Sequence, residues 1–119
     1  MLNIHAIEGV NYAPEDQGTV AQVIDKGTGV TLNKLAGQIT MTDANLASLT
    51  TVTFTLTNSL ISPKDIVLLN IVAGATEGAY DCWVSSLSAG VCTITLRNIS
   101  ANDLAEAVVI EFGIIHGQV

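Results

Sequence analysis

The sequence is poor in basic residues, and this shortage excludes two kinds of partner. Four lysines and arginines stand against eleven aspartates and glutamates, which gives the 119 residues a formal net charge of −7. Nucleic acids and anionic membranes are both bound through basic surfaces that neutralise phosphate groups. We therefore expect neither nucleic acid nor membrane as a partner, and a neutral or basic protein surface is the partner that this charge favours.

Cysteine is scarce as well. The chain contains only Cys82 and Cys92, whereas a small secreted domain held together by disulfides normally has more. The segment from Met1 to His5 contains no lysine or arginine and so has no basic n-region, and we expect no signal peptide. We interpret both cysteines as reduced core residues, and a cross-strand disulfide between them is the alternative.

Long apolar runs and charged residues are also few. No apolar stretch approaches the roughly 18 residues that a transmembrane helix needs. Charged residues make up only 13% of the chain, and its mean hydropathy is +0.50. An apolar surplus without a membrane-spanning segment predicts that the protein makes contacts between subunits.

The residues that are abundant favour β-structure. Valine (12), isoleucine (12) and threonine (13) form almost a third of the chain, and these β-branched side chains suit strands better than helices. Short runs of alternating apolar and polar residues recur along the chain, a spacing typical of a sandwich or barrel. We predict an all-β fold, an antiparallel β-sandwich of the eight-stranded jelly-roll type. The predicted strands are residues 19–24, 30–33, 38–42, 51–57, 66–72, 80–85, 91–97 and 107–115, and the predicted domains are an N-terminal arm or edge strand (1–17) and the sandwich (18–119).

Three segments make more detailed predictions. Residues 51–57 alternate without a break, so their apolar side chains should face the core while their four threonines face water or another subunit. Residues 66–72 are apolar on both faces, which indicates either a central strand or a strand covered by a partner. Residues 42–47 resemble a helical turn capped by Thr42 or Asp43, and residues 87–90 resemble the turn of a hairpin.

No group of residues predicts catalysis, a metal site or a cofactor. Most carboxylates fall in predicted turns, and the chain has no Gly-x-Ser-x-Gly nucleophile motif. The two histidines, His5 and His116, lie near the termini and supply too few ligands for zinc even if terminal strands bring them together. Trp83 alternates with Cys82 and Val84, so it belongs either to a second core layer or to an interface.

Several segments resemble a family of small tailed-bacteriophage virion proteins. The resemblance covers about residues 18–117 and carries no catalytic residues, and residues 1–17 fall outside it. Similar segments occur in stand-alone proteins and within longer phage structural proteins. The segments that carry it are Gly18–Gln22, Thr28–Lys34, Gly37–Met41, Phe54–Ser59, Gly78–Tyr80, Thr93–Ser100 and Glu106–Ile110.

The resemblance implies a capsid decoration (cement) protein that is made in the host bacterial cytoplasm and placed on the outer surface of the virion. Such proteins are often trimers that clamp neighbouring major capsid proteins, and a receptor-binding or structural module of a tail or head fibre is the alternative. The N-terminal arm offers Ile4, Ile7 and Tyr12 as candidate capsid contacts. The candidate subunit interface consists of Thr51, Thr53, Thr55, Thr57, Trp83 and Arg97, with Trp83 and Arg97 as possible anchors.

Overall fold

The computed structural model describes residues 12–117, which form two β-sheets packed face to face. The only helix within this range is a single 3-10 turn at Pro14–Asp16, and no helix there is long and apolar enough to cross a membrane. The strands are β1 (Gln17–Ala21), β2 (Val30–Thr31), β3 (Ala36–Thr40), β4 (Thr51–Thr57), β5 (Ile66–Ala73), β6 (Tyr80–Ser88), β7 (Val91–Asn98) and β8 (Val109–Ile115).

The β-sandwich predicted from the sequence is confirmed. The first sheet has the strand order β1-β3-β8-β5 and the second has the order β2-β4-β7-β6. Both sheets are mixed rather than purely antiparallel, because β1 pairs with β3 and β2 pairs with β4 in parallel. β3 lies between β1 and β8, whereas a jelly roll pairs its first and last strands directly, so the strand order differs in this respect.

The core lies between the two sheets and follows from the alternation along the strands. On β4, Phe54 and Leu56 are buried, while the four threonines that alternate with the apolar residues of this strand are exposed. Ile110, Phe112 and Ile114 of β8 face them from the other sheet, each at most 1% exposed. The interior is therefore built from the inward positions of the central strands β4, β7, β3 and β8.

The connecting loops gather at two ends of the sandwich. The upper end carries residues 22–29, 41–50, 74–79 and 99–108, and the lower end carries residues 32–35, 58–65 and 89–90. The predicted hairpin at 87–90 is confirmed, since β6 pairs with β7 from Ser88 opposite Val91 upward, with a shift of register between Val84 and Ser86.

One prediction of local structure is wrong, and for a second segment one of the two predicted alternatives is excluded. Residues 42–47 form no helical turn, because Leu46 instead bridges Leu104 of another loop through two backbone hydrogen bonds. β5 is not a central strand: it lies at the edge of the first sheet and pairs only with β8 within the described residues.

The cross-strand disulfide is also contradicted. Cys82 pairs with Leu96 and Cys92 pairs with Leu87, so the two cysteines are not opposite each other, and both are free. Burial raises the pKa of the Cys92 thiol to about 11, and burial together with the Asp81 carboxylate raises the pKa of the Cys82 thiol. Both sulfurs therefore stay protonated near neutral pH and act as small apolar side chains.

Candidate functional site

The outer surface of the second sheet brings the six predicted interface residues together. Thr51 lies opposite Arg97, Thr53 lies opposite Thr95, and Thr95 lies opposite Trp83 on the next strand. Trp83 is 41% exposed, so it does not belong to a second core layer. We call this surface the threonine face and define it as Thr51, Thr53, Thr55, Thr57, Trp83, Ser85, Ser86, Thr93, Thr95 and Arg97.

Hydroxyl groups on the threonine face are hydrogen-bonded to one another. The Oγ1 atoms of Thr53 and Thr95 are 2.8 Å apart, and Thr95 Oγ1 donates to Ser85 Oγ at 2.9 Å. Thr93 Oγ1 lies 2.7 Å from Ser85 Oγ and 2.7 Å from Ser86 Oγ. Because these five hydroxyls already bond to one another, covering this part of the face carries a smaller desolvation cost than covering free hydroxyls.

A second surface, more apolar than the threonine face, lies on the outer side of β5. Ile66 and Leu68 are each 55% exposed, and Ile115 and Val72 are 48% and 40% exposed. Ile66 lies directly opposite Ile115, and Leu68 lies opposite Gly113. We call this surface the β5 face and define it as Ile66, Leu68, Val72, Gly113 and Ile115; Asn70 and Glu111, which lie opposite each other, interrupt it between Leu68 and Val72.

The β5 face lacks the features that usually protect an edge strand. β5 contains no charged residue and no proline, and Asn70 is its only polar residue. Edge strands of monomeric proteins are usually kept apart by charges, prolines or coverage. The sequence signal for this face was the run 66–72 that is apolar on both sides; since β5 is an edge strand, coverage by a partner is the alternative that remains.

Only one of the three candidate capsid contacts lies within the described residues. Ile4 and Ile7 lie outside them, so their role stays a prediction. Tyr12 is half-buried at the lower end, where its hydroxyl donates to the carbonyl oxygen of Ile114. Gln17 Nε2 donates to the carbonyl of Tyr12 at 3.0 Å. These bonds fix the position of Tyr12 at the lower end.

The histidine near the C-terminus belongs to a structural cluster at the lower end. The Asp65 carboxylate accepts hydrogen bonds from the backbone and hydroxyl of Ser62, both at 2.8 Å, and from the Gly117 backbone at 3.0 Å. Its Oδ2 atom also lies 3.1 Å from His116 Nδ1. Burial by itself would raise the pKa of Asp65, but these hydrogen bonds outweigh it and hold the pKa well below the ordinary value.

Asp65→Asn is expected to destabilise the protein near neutral pH by on the order of 2 kcal/mol, the usual worth of hydrogen bonds to a buried charge. The pKa of Asp65 is lower in the folded than in the unfolded state. Its contribution to the free energy of unfolding is therefore complete above about pH 5 and declines as the pH falls toward the folded pKa. Urea unfolding at several pH values measures this free energy, and the difference between the wild type and Asp65→Asn should become smaller below pH 4. Glu77→Gln, at an exposed loop position, is the control. A difference in unfolding free energy between wild type and Asp65→Asn that stays constant down to pH 2 would contradict the prediction.

A second carboxylate ties two loops of the upper end together. Glu106 accepts hydrogen bonds from the backbone and hydroxyl of Thr76 at 3.0 and 2.8 Å, and from the Tyr80 hydroxyl at 2.8 Å. The Thr76 bonds lower the pKa of Glu106, and burial followed by the Glu106 contact raises the pKa of Tyr80. All three donors serve to hold the loops, and residues 12–117 contain no cluster of three or more His, Cys, Asp or Glu side chains suited to a metal ion.

Comparison with protein-family models, with curated proteins and with solved structures gave no match to this chain. The fold and its surfaces define the class: an acidic, eight-stranded β-sandwich that exposes one hydroxyl-rich sheet face and one apolar edge face.

Proposed function

We propose that this protein is a bacteriophage capsid decoration protein that forms trimers on the outer capsid surface and clamps neighbouring major capsid proteins. The observation that carries this proposal is the β5 face, an uncovered apolar edge surface on a chain of net charge −7. A chain with such a surface is suited to permanent association. The resemblance of residues 18–117 to small virion proteins supplies the viral context.

The positions of the two faces are suited to a closed ring of subunits, which we propose has three members. β5 and β6 are the edge strands on the same side of the sandwich and pack against each other. The β5 face therefore lies on one side of this edge, and Trp83 of β6 lies on the other. In a ring with this edge toward the threefold axis, the β5 face of one subunit packs against the Trp83 side of the next, which is the heterologous contact that a closed ring needs.

The N-terminal segment supplies the clamping contact in this proposal. Residues 1–11 can span at most roughly 40 Å when extended, and they are joined to Tyr12, which is anchored at the lower end. Ile4 and Ile7 are then the side chains proposed to contact the major capsid protein. Many identical weak contacts over the shell add through avidity, so no single contact needs to be strong.

The copy number of the chain in purified particles tests the proposal. Gel densitometry against the major capsid protein is expected to give a simple ratio that corresponds to hundreds of copies, because decoration proteins cover the whole shell. Trace labelling of the protein before particle purification controls for loss during handling. A few dozen copies or fewer would indicate a fibre or spike instead, and none would overturn the virion assignment.

A further inference from the structure

The loop between β1 and β2 presents the two most exposed large apolar side chains among the described residues. Val23 is 85% exposed and Ile24 is 78% exposed, and they are adjacent at the upper end of the sandwich. Exposed apolar residues on a loop are ordinary where the loop is loosely held. The hydrogen bonds of this loop show that it is tightly held.

Two buried polar side chains fix the loop from inside. Gln22 is 7% exposed; its Nε2 donates to the carbonyls of Lys26 and Thr28 at 2.8 and 3.0 Å, and its Oε1 accepts from the Thr42 backbone at 3.1 Å. Lys26 is 3% exposed, and its ammonium donates to the carbonyls of Thr42 and Glu106. Asp25 closes the turn by accepting from the Gly27 backbone at 2.9 Å. The fold thus holds Val23 and Ile24 in a defined position while giving them no cover.

A third apolar residue at the upper end is exposed despite an unfavourable backbone. Leu49 is 61% exposed and has a φ of 60°, the only positive value at a non-glycine residue in the described chain. It lies in the turn that the Thr50 backbone closes by donating to the Ala47 carbonyl. Glycine or asparagine suits this left-handed position better, so the leucine side chain does not serve the turn itself.

The charges around these residues indicate the chemistry of the partner. Asp25 and Asp43 are exposed on the same two loops, whereas the nearby Lys26 is buried and offers no charge to a partner. An anionic lipid surface is disfavoured by these carboxylates. A protein pocket that is apolar at its centre and basic at its rim complements the loop in both respects.

We infer that Val23, Ile24 and Leu49 at the upper end insert into an apolar, basic-rimmed pocket of the capsid shell, as a contact separate from the N-terminal arm. This inference rests on the proposed function. Tyr12, to which residues 1–11 are joined, is anchored at the lower end, so this contact lies at the end of the subunit opposite that anchor. A subunit that contacts the shell at this end as well as through its arm is held at two points, as a clamp requires.

Shell binding by matched variants tests the inference. Particles from a phage that lacks this gene are incubated with purified protein and pelleted, which gives a binding isotherm for each variant. The double variant Val23→Ser/Ile24→Ser is expected to bind at least 30-fold more weakly, the usual loss for a pair of buried anchors. Leu60→Ser removes a side chain of 41% exposure at the lower end and should bind like the wild type.

Leu49→Gly separates a binding role from a structural one. Because glycine adopts the left-handed backbone without strain, this variant should melt at the same or a higher temperature than the wild type and yet bind shells more weakly. If the wild type binds shells but both variants bind within threefold of it, the inference is overturned and the proposed function stands. If the wild type itself does not bind, the proposed function fails and this inference fails with it.

Discussion

Leu68→Glu is expected to convert the proposed trimer into monomers without unfolding the chain. Leu68 is 55% exposed in the isolated subunit, so the sandwich tolerates a glutamate there. In the proposed trimer the carboxylate would lose its hydration against the Trp83 side of the next subunit, and a buried charge that gains no ion pair costs several kcal/mol at each of three interfaces. Light scattering coupled to size-exclusion chromatography measures the mass directly, and thermal melting verifies the fold.

The control for this variant is Leu60→Glu, which adds the same charge at a lower-end loop and should leave the trimer intact.

The ring arrangement also predicts the result of mixing two variants. Trp83→Ala should also weaken assembly, and a mixture of Leu68→Glu with Trp83→Ala chains should yield heterodimers, because each mixed pair retains one intact contact. A Leu68→Glu variant that remains trimeric at micromolar concentration would show that the β5 face is not the interface.

The sequence predicts those parts of the fold that depend on local alternation. Residues 51–57 became β4 with the expected inward and outward faces, and the turn at 87–90 joins β6 to β7. The helical turn at 42–47 failed because tertiary pairing of Leu46 with Leu104 replaced the local hydrogen bonds that capping would have favoured. The parallel pairing of β1 with β3 and that of β2 with β4 are also non-local, because no hairpin connects either pair of strands.

The difference between local alternation and non-local strand pairing also explains which surfaces the sequence could indicate. The threonine face follows from a period of two, so the alternation alone places Thr51, Thr53, Thr55 and Thr57 on one face of a strand. Whether residues 66–72 lie at the centre or the edge of a sheet depends on which strands pair, and the residues themselves do not encode this locally. The sequence likewise did not indicate that Val23 and Ile24 are exposed, because their exposure depends on the burial of Gln22 and Lys26 beside them.

Gly74→Ala is expected to be strongly destabilising, because it combines a left-handed backbone with a clash against the main chain. Gly74 follows β5 with a φ of +74°, and a Cβ there would overlap the carbonyl oxygen of Ala107 and lie 2.9 Å from its carbonyl carbon. The obstacle is backbone, so no side-chain rotation relieves it, and the loop must move away from the Ala73–Val109 pairing at the end of the sheet. Strain in the backbone and the clash together should cost at least about 3 kcal/mol, which for a chain of this length lowers Tm by roughly 10 °C or more.

Gly78→Ala in the same loop isolates the steric part of this effect. Gly78 has a φ of +76°, nearly that of Gly74, but a Cβ there meets no atom within 4 Å. This variant should therefore lose only the roughly 1 kcal/mol that a left-handed backbone costs a non-glycine residue. Equal melting temperatures for the two variants would mean that the 74–79 loop does not press on residue 107 in solution. A large difference would instead establish that contact as a fixed part of the upper end, where Glu106 already binds Thr76 and Lys26 binds the Glu106 carbonyl.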